Sequence, residues 1–171
     1  PLHPLTPLCL KGHSSVIATW MGACRGVFVD SRYRLLSFQG MTAATPNVVE
    51  AEACCGERLV TLAAVRKSAQ MLRRQLQCAA VLLTQGCEGM TLATAAKCVY
   101  EPIVGSGEGD GTGAGDTVLA VFSAAVLAGH DMASAQRLAN TAADDIIPVA
   151  ESFSQPAHQT QLDFHAHAHL R

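Results

Sequence analysis

The chain has 171 residues, of which 49% are hydrophobic and 15% charged, with a formal net charge of −2 at pH 7. That is the size of one domain with enough apolar residues for a packed α/β or α-rich core, and it argues against a chain disordered as a whole. The small net charge gives no sign of nucleic-acid or anionic-membrane binding, and no apolar run reaches the roughly 20 residues that span a bilayer.

Residues 1–26 carry no clean period, although Ser14–Ala23 could form a helical turn or two. The start, PLHPLTPLCLKGH, has prolines within its apolar stretch and no basic leader. It is a poor signal peptide, and a cytoplasmic protein is expected. Cysteines stand at Cys9, Cys24, Cys54, Cys55, Cys78, Cys87 and Cys98, an odd number with no C-x-x-C pair. Zinc-ribbon, redox and disulfide frameworks are therefore unsupported, and most of these thiols are expected to be small buried hydrophobes in a reducing compartment.

Val27–Asp30 is an apolar run ending in a carboxylate, the pattern of a buried parallel strand. Thr42–Thr45 reads as a second short strand, stopped by Pro46. Asn47 is a good N-cap, and Glu50 three residues later completes a capping-box arrangement that would by itself explain both residues. Leu59–Leu76 is the clearest helix: Leu59, Leu62, Val65, Ala69, Leu72 and Leu76 lie on one stripe. Arg66, Lys67, Arg73 and Arg74 fall mostly off that stripe and read as a solvated face. Ala79–Thr84 is an apolar strand, Gln85–Gly89 a tight turn and Met90–Thr94 the next strand of the same sheet. Lys97–Val104 follows as a last strand, with Pro102 favouring the edge.

The most informative stretch is GSGEGDGTGAGDTVLAVFSAAVLAG, Gly105–Gly129. Glycine takes every second position from Gly105 to Gly115, after which Asp116 opens an alanine-rich helix over Thr117–Ala128. Nearly bare backbone at Gly113, Ala114 and Gly115, placed at a helix start, suits an anion or a phosphoryl group in transfer. Asp116 would repel a phosphate and fits better as a base for a hydroxyl attacking one. A flexible linker followed by a helix cap accounts for the same residues. No Gly-Lys-Ser/Thr follows, so this is not a Walker loop. Ala133–Ala143 reads as a further helix, which Asp144, Asp145 and Pro148 should end. In the tail, His165, His167 and His169 alternate, so a strand would set them on one face as metal ligands, but a tail histidine cluster is more often incidental.

The run Asp110-Gly111-Thr112-Gly113-Ala114-Gly115-Asp116-Thr117 closely resembles the second signature of the PfkB (ribokinase-like) carbohydrate kinases, D-T-x-G-A-G-D, with Gly111 the one departure. The resemblance implies that Gly113, Ala114 and Gly115 form an anion hole, that Asp116 is the catalytic base, and that Asp110 and Thr112 lie on the nucleotide side. Thr45-Pro46-Asn47 with Glu50 is similar to the family's N-x-x-E motif, which implies that Asn47 and Glu50 handle magnesium and phosphate. Thr84, Gly86 and Gly89 resemble the family's nucleotide-side loop, a weak motif that is otherwise a hairpin, and Asn140 resembles an asparagine beside the nucleotide base. The run VDSRYRLLSFQGMTAATPNVVEAEA looks like the heptose-kinase branch in particular.

The resemblance covers residues 27–143, with 1–26 and 144–171 unmatched. It implies a three-layer α/β/α fold with a mainly parallel sheet, a truncated ribokinase-like domain in which Val27–Asp30 and Ala79–Thr84 are central strands. The implied activity is transfer of the γ-phosphoryl group of ATP, with Mg2+, to a hydroxyl of a sugar or sugar phosphate. A family member's sugar-binding half has no counterpart here, so the implied partners include a separate sugar-binding half or a second copy of the chain. The competing expectation is a non-catalytic remnant that binds nucleotide or only packs against a partner. A dinucleotide-binding oxidoreductase fits less well, since no G-x-G-x-x-G opens the first βα unit.

Overall fold

The computed structural model describes residues 26–103 and 114–154. Its elements in chain order are β1 (Phe28–Val29), β2 (Ala43–Ala44), α1 (Val48–Cys55), α2 (Leu62–Gln75), β3 (Ala80–Thr84), β4 (Met90–Thr94), β5 (Cys98–Glu101), α3 (Ala114–Leu127) and α4 (Met132–Ser154). The five strands form one sheet in the order β1-β2-β3-β4-β5. β1, β2 and β3 run parallel, β4 returns antiparallel to β3, and β5 is antiparallel to β4, so that only β4 opposes the other strands. The α1–α2 pair provides the long crossover that two parallel neighbours, β2 and β3, require. Between β3 and β4 the connection is too short for that, so the chain folds back as a hairpin.

β3 is buried from Ala80 to Leu83 because helices cover both of its faces. Strand alternation sends Val81 and Leu83 into the core under α1 and α2, and Ala80 and Leu82 into the core under α3 and α4. The first core is built on Leu72, Leu76, Val65 and Leu59. The second is lined by Ala133, Ala135, Ala139 and Ala143, which let α4 approach closely, and is filled by Phe122. Phe122 meets Phe28 edge to face, with ring centroids 6.2 Å apart. The layers are therefore helix, sheet, helix, as expected, with β3 central.

Four expectations change. β1 stands at the end of the sheet among the described residues, not at its centre. α2 begins at Leu62, because the Thr61 side chain accepts the Ala64 N–H and caps the helix there; Leu59 is buried from the preceding turn. α4 runs on through Asp144, Asp145 and Pro148 to Ser154. A proline removes one hydrogen bond and crowds one carbonyl, a local cost that this helix absorbs without ending. Of the described cysteines only Cys78 is buried; Cys54, Cys55 and Cys98 are half-buried, Cys87 is exposed, and all are free. Burial pushes the Cys78 thiol up to about 11, against the opposing pull of backbone hydrogen bonds and Arg73.

Among the described residues no helix is long and apolar enough to cross a membrane. Ser14–Ala23, Cys9, Cys24, Asp110, Thr112, Gly113 and the histidines His165, His167 and His169 lie outside the described residues.

Candidate active site

The C-terminal ends of the three parallel strands share one edge of the sheet, where open α/β folds gather their ligands. Asp30 follows β1, Thr45 follows β2 and Thr84 closes β3. Thr84 and Asn47 form an isolated parallel bridge, and the Thr84 N–H donates to the Pro46 carbonyl at 3.0 Å. Asn47 thus stands beside Thr84 because backbone pairing carries on past β2.

Asn47 also opens α1, and the capping box is complete. The Glu50 N–H donates to Asn47 Oδ1 at 2.9 Å, and the Asn47 N–H donates to Glu50 Oε2 at 3.0 Å. Asn47 is exposed while Glu50 is only 7% exposed, so one carboxylate oxygen of a buried residue is committed to the helix start. The hydroxyl of Thr45, buried at the same end, has no hydrogen-bond partner among the described residues.

α3 presents a different start. Ala114, Gly115 and Asp116 form its first turn, Gly115 and Asp116 are exposed, and a Cβ on Gly115 would meet nothing within 4 Å. Asp116 acts at a distance on Asp30. The Asp30 carboxyl is raised above its ordinary range, first by partial loss of hydration against the sheet and then by the charges of Glu50 and Asp116. Ser31 and Arg32 pull it back only in part. Three carboxylates from β1, α1 and α3 therefore share one electrostatic neighbourhood. Residue-type reasoning placed Asp30 at a strand's C-terminal end but not in the site, and that strand-end position was the available signal.

The turn after β3 is a 3-10 turn, Gly86–Glu88, closed by the Gln85 N–H donating to the Gly89 carbonyl at 2.8 Å. The Thr91 hydroxyl donates to Gln85 Oε1 at 2.7 Å and fixes the turn on β4. Gly86 (φ +59°) faces open space. Gly89 (φ +98°) is backed by the main chain of Glu101, Pro102 and Ile103, so no side chain fits there. Asn140 is 3% exposed, and its Nδ2 donates to the Pro102 carbonyl at 2.6 Å. A cleft of about 390 Å³ opens between α1 and this turn, lined by Asn47, Val49, Arg58, Val60, Thr84 and Gly86 among others. It unites Asn47, Thr84 and Gly86; Asp116 and Asn140 do not line it.

An exposed first turn such as that of α3 suits a phosphate compound, and the strand ends separately hold the buried Thr45 hydroxyl without a partner among the described residues. Among the described residues, no group of three His, Cys, Asp or Glu side chains lies close enough to hold a metal ion. Mg2+ at a phosphoryl-transfer site needs no such cage, since phosphates, waters and one or two carboxylates serve.

Comparison with known proteins agrees with this architecture. Residues 23–148 match the model of the pfkB family carbohydrate kinases. The chain is 40% identical over 129 residues to the bifunctional protein HldE of Halorhodospira halophila, an alignment covering 73% of this chain and 26% of that protein. The chain thus spans about a quarter of that curated relative's length. In three dimensions it is similar to Arabidopsis thaliana ribokinase complexed with ribose and ATP, with TM-score 0.66, 22% identity, and coverage of 77% of this chain and 44% of that one. It is also similar to the tetrameric inhibited form of Escherichia coli phosphofructokinase-2, with TM-score 0.69, 19% identity, and coverage of 78% and 45%. The HldE relatives match the heptose-kinase branch read in Val29–Ala53. The chain belongs to the PfkB family of carbohydrate kinases.

Proposed function

We propose that the chain is the nucleotide-binding and catalytic part of an ATP-dependent sugar kinase acting in the cytoplasm, with the acceptor a hydroxyl of a sugar or sugar phosphate. The kinase-like part is residues 27–143. The observation that carries this reading is the first turn of α3, where Gly115 and Asp116 are exposed and a Cβ on Gly115 would meet nothing within 4 Å among the described residues. ATP with Mg2+, when bound, supplies the phosphoryl group. The chain's own work is local. Asp116 takes the proton from the acceptor hydroxyl as that oxygen bonds to phosphorus and ADP leaves. The backbone at Gly113, Ala114 and Gly115 faces the transferring charge, with the helix dipole behind it. Asp110, Thr112, Thr84, Gly86, Gly89 and Asn140 form the nucleotide side, and Asn47 and Glu50 the magnesium side. The acceptor pocket is completed by a sugar-binding half or a second copy of the chain.

A second reading, a non-catalytic remnant, is favoured by two contacts: Glu50 gives an oxygen to its own helix cap, and the Asn140 amide is taken by Pro102.

Asp116→Asn separates the two. Asn is nearly isosteric and still caps a helix, yet cannot accept the proton. Sugar-dependent ATP consumption, with the chain alone or complemented by a sugar-binding half, should fall by about 10²–10⁴-fold while Mg-ATP affinity and melting stay near wild type. Wild-type turnover in a folded Asp116→Asn protein removes the base assignment. No Mg-ATP binding by the wild-type chain would favour the remnant.

A further inference from the structure

Gln136 is an anomaly in the α4 core. The residues around it on the sheet-facing side are alanines, yet Gln136 is itself fully buried. Its Nε2 donates to the Met90 carbonyl at 3.1 Å and approaches the Val99 carbonyl at 3.3 Å, so a single amide grips both strands of the β4–β5 pair. Its Oε1 is buried with no partner among the described residues. An unpaired buried carbonyl is costly, and an apolar side chain of the same shape would avoid that cost. The residue therefore makes sense through what its amide holds.

What it holds is the exit of β5. One turn further along α4, Asn140 donates to the Pro102 carbonyl at 2.6 Å, and the exposed Arg137 approaches Glu101 at 3.9 Å. From the other side, the Tyr100 hydroxyl donates to the Glu88 carbonyl at 2.6 Å, and Gly89 lies against the main chain of Glu101–Ile103. Val99–Ile103 is thus clamped between α4 and the turn after β3, the two elements that carry Asn140, Gly86 and Gly89. Asn140 fixes one carbonyl beyond the strand and Arg137 meets a β5 side chain; among the described residues, Gln136 is the α4 side chain that bonds carbonyls of the ladder itself.

We propose that Gln136 is a positioning residue that sets α4 against the β5 exit, and thereby sets Asn140 relative to the Gly86–Gly89 turn. It touches no reacting atom. The ligand served rests on the kinase reading above; the clamp does not.

The test is Gln136→Met, which keeps the shape and removes both the amide donor and the orphaned carbonyl. Hydrogen exchange at residues 98–103 and Mg-ATP titration are measured beside Ala135→Gly, a fully buried α4 change that makes no such bonds. Exchange at 98–103 should quicken about tenfold in Gln136→Met, and Mg-ATP affinity should fall several-fold with melting nearly unchanged. Ala135→Gly should lower melting without singling out that segment. Unchanged exchange at 98–103, equal loosening in Ala135→Gly, or loosening with wild-type Mg-ATP affinity would overturn the proposal. A wild-type chain that binds no Mg-ATP sinks the kinase reading instead, and exchange alone then decides whether Gln136 holds the clamp. If Gln136→Met does not fold, Gln136→Leu, an apolar side chain of similar size without the donor, goes through the same measurements.

Discussion

The starts of α1 and α3 look alike in the sequence and differ in the fold. Each pairs a helix N-terminus with a carboxylate in its first turn, Glu50 in α1 and Asp116 in α3. At α1 the carboxylate is buried and turned back on the Asn47 N–H, while the Asn47 side chain satisfies the Glu50 N–H. At α3 the carboxylate is exposed and the neighbouring glycine faces open space. A helix start attracts anions only with the groups it has left over. α1 uses its carboxylate for its own stability, and α3 leaves one exposed.

The contrast can be broken by swapping the expected phenotypes. Where Asp116→Asn should cost rate and spare the fold, Asn47→Ala should cost stability, by about 1 kcal/mol for a lost cap. Glu50→Gln keeps an acceptor for the Asn47 N–H, so it should cost less than Asn47→Ala. Thermal melts of both variants check this, and an Asn47→Ala protein as stable as wild type would show that the capping box is dispensable.

Gly115→Ala is expected to have a smaller effect on stability and an informative sign. A Cβ there meets no neighbour, and alanine is the better helix former, so melting should stay level or rise, by at most about 1 kcal/mol. If the bare backbone receives a phosphoryl group, Mg-ATP affinity falls in the same protein. Lost stability with unchanged affinity would mean that the glycine serves the turn and not a ligand.

The mildest effect is electrostatic. Because the Asp30 carboxyl is raised in the folded chain, the native state binds more protons than the unfolded state between the ordinary aspartate value and the raised one. Its contribution to stability is therefore most favourable at low pH and declines as pH rises through that window. Asp30→Asn should remove this slope, and Glu50→Gln or Asp116→Asn should each lower the Asp30 titration midpoint followed by NMR. A midpoint that neither substitution moves would separate the three carboxylates.

Much of the architecture was legible from local pattern. The stripe through Val65, Ala69, Leu72 and Leu76, the apolar run of β3 and the Gln85–Gly89 turn each impose their own geometry. The N-x-x-E spacing likewise specified a capping box, because its partners are only three residues apart. Residue types could not say which strands are neighbours, so the placement of β1 at the sheet's end came only from pairing. They could not say that Pro148 sits within a helix, since a breaker's cost is weighed against the rest of the helix. Asp30 joins Glu50 and Asp116 across three elements far apart in sequence, and Gln136 reaches carbonyls 46 and 37 residues away. The sequence by itself determined which segments are strands and which are helices, because those follow from contacts within a few residues, though it set the start of α2 three residues early. The tertiary structure alone decided which carboxylates feel one another and which polar groups are left over, because burial and long-range hydrogen bonding exist only once the layers are packed.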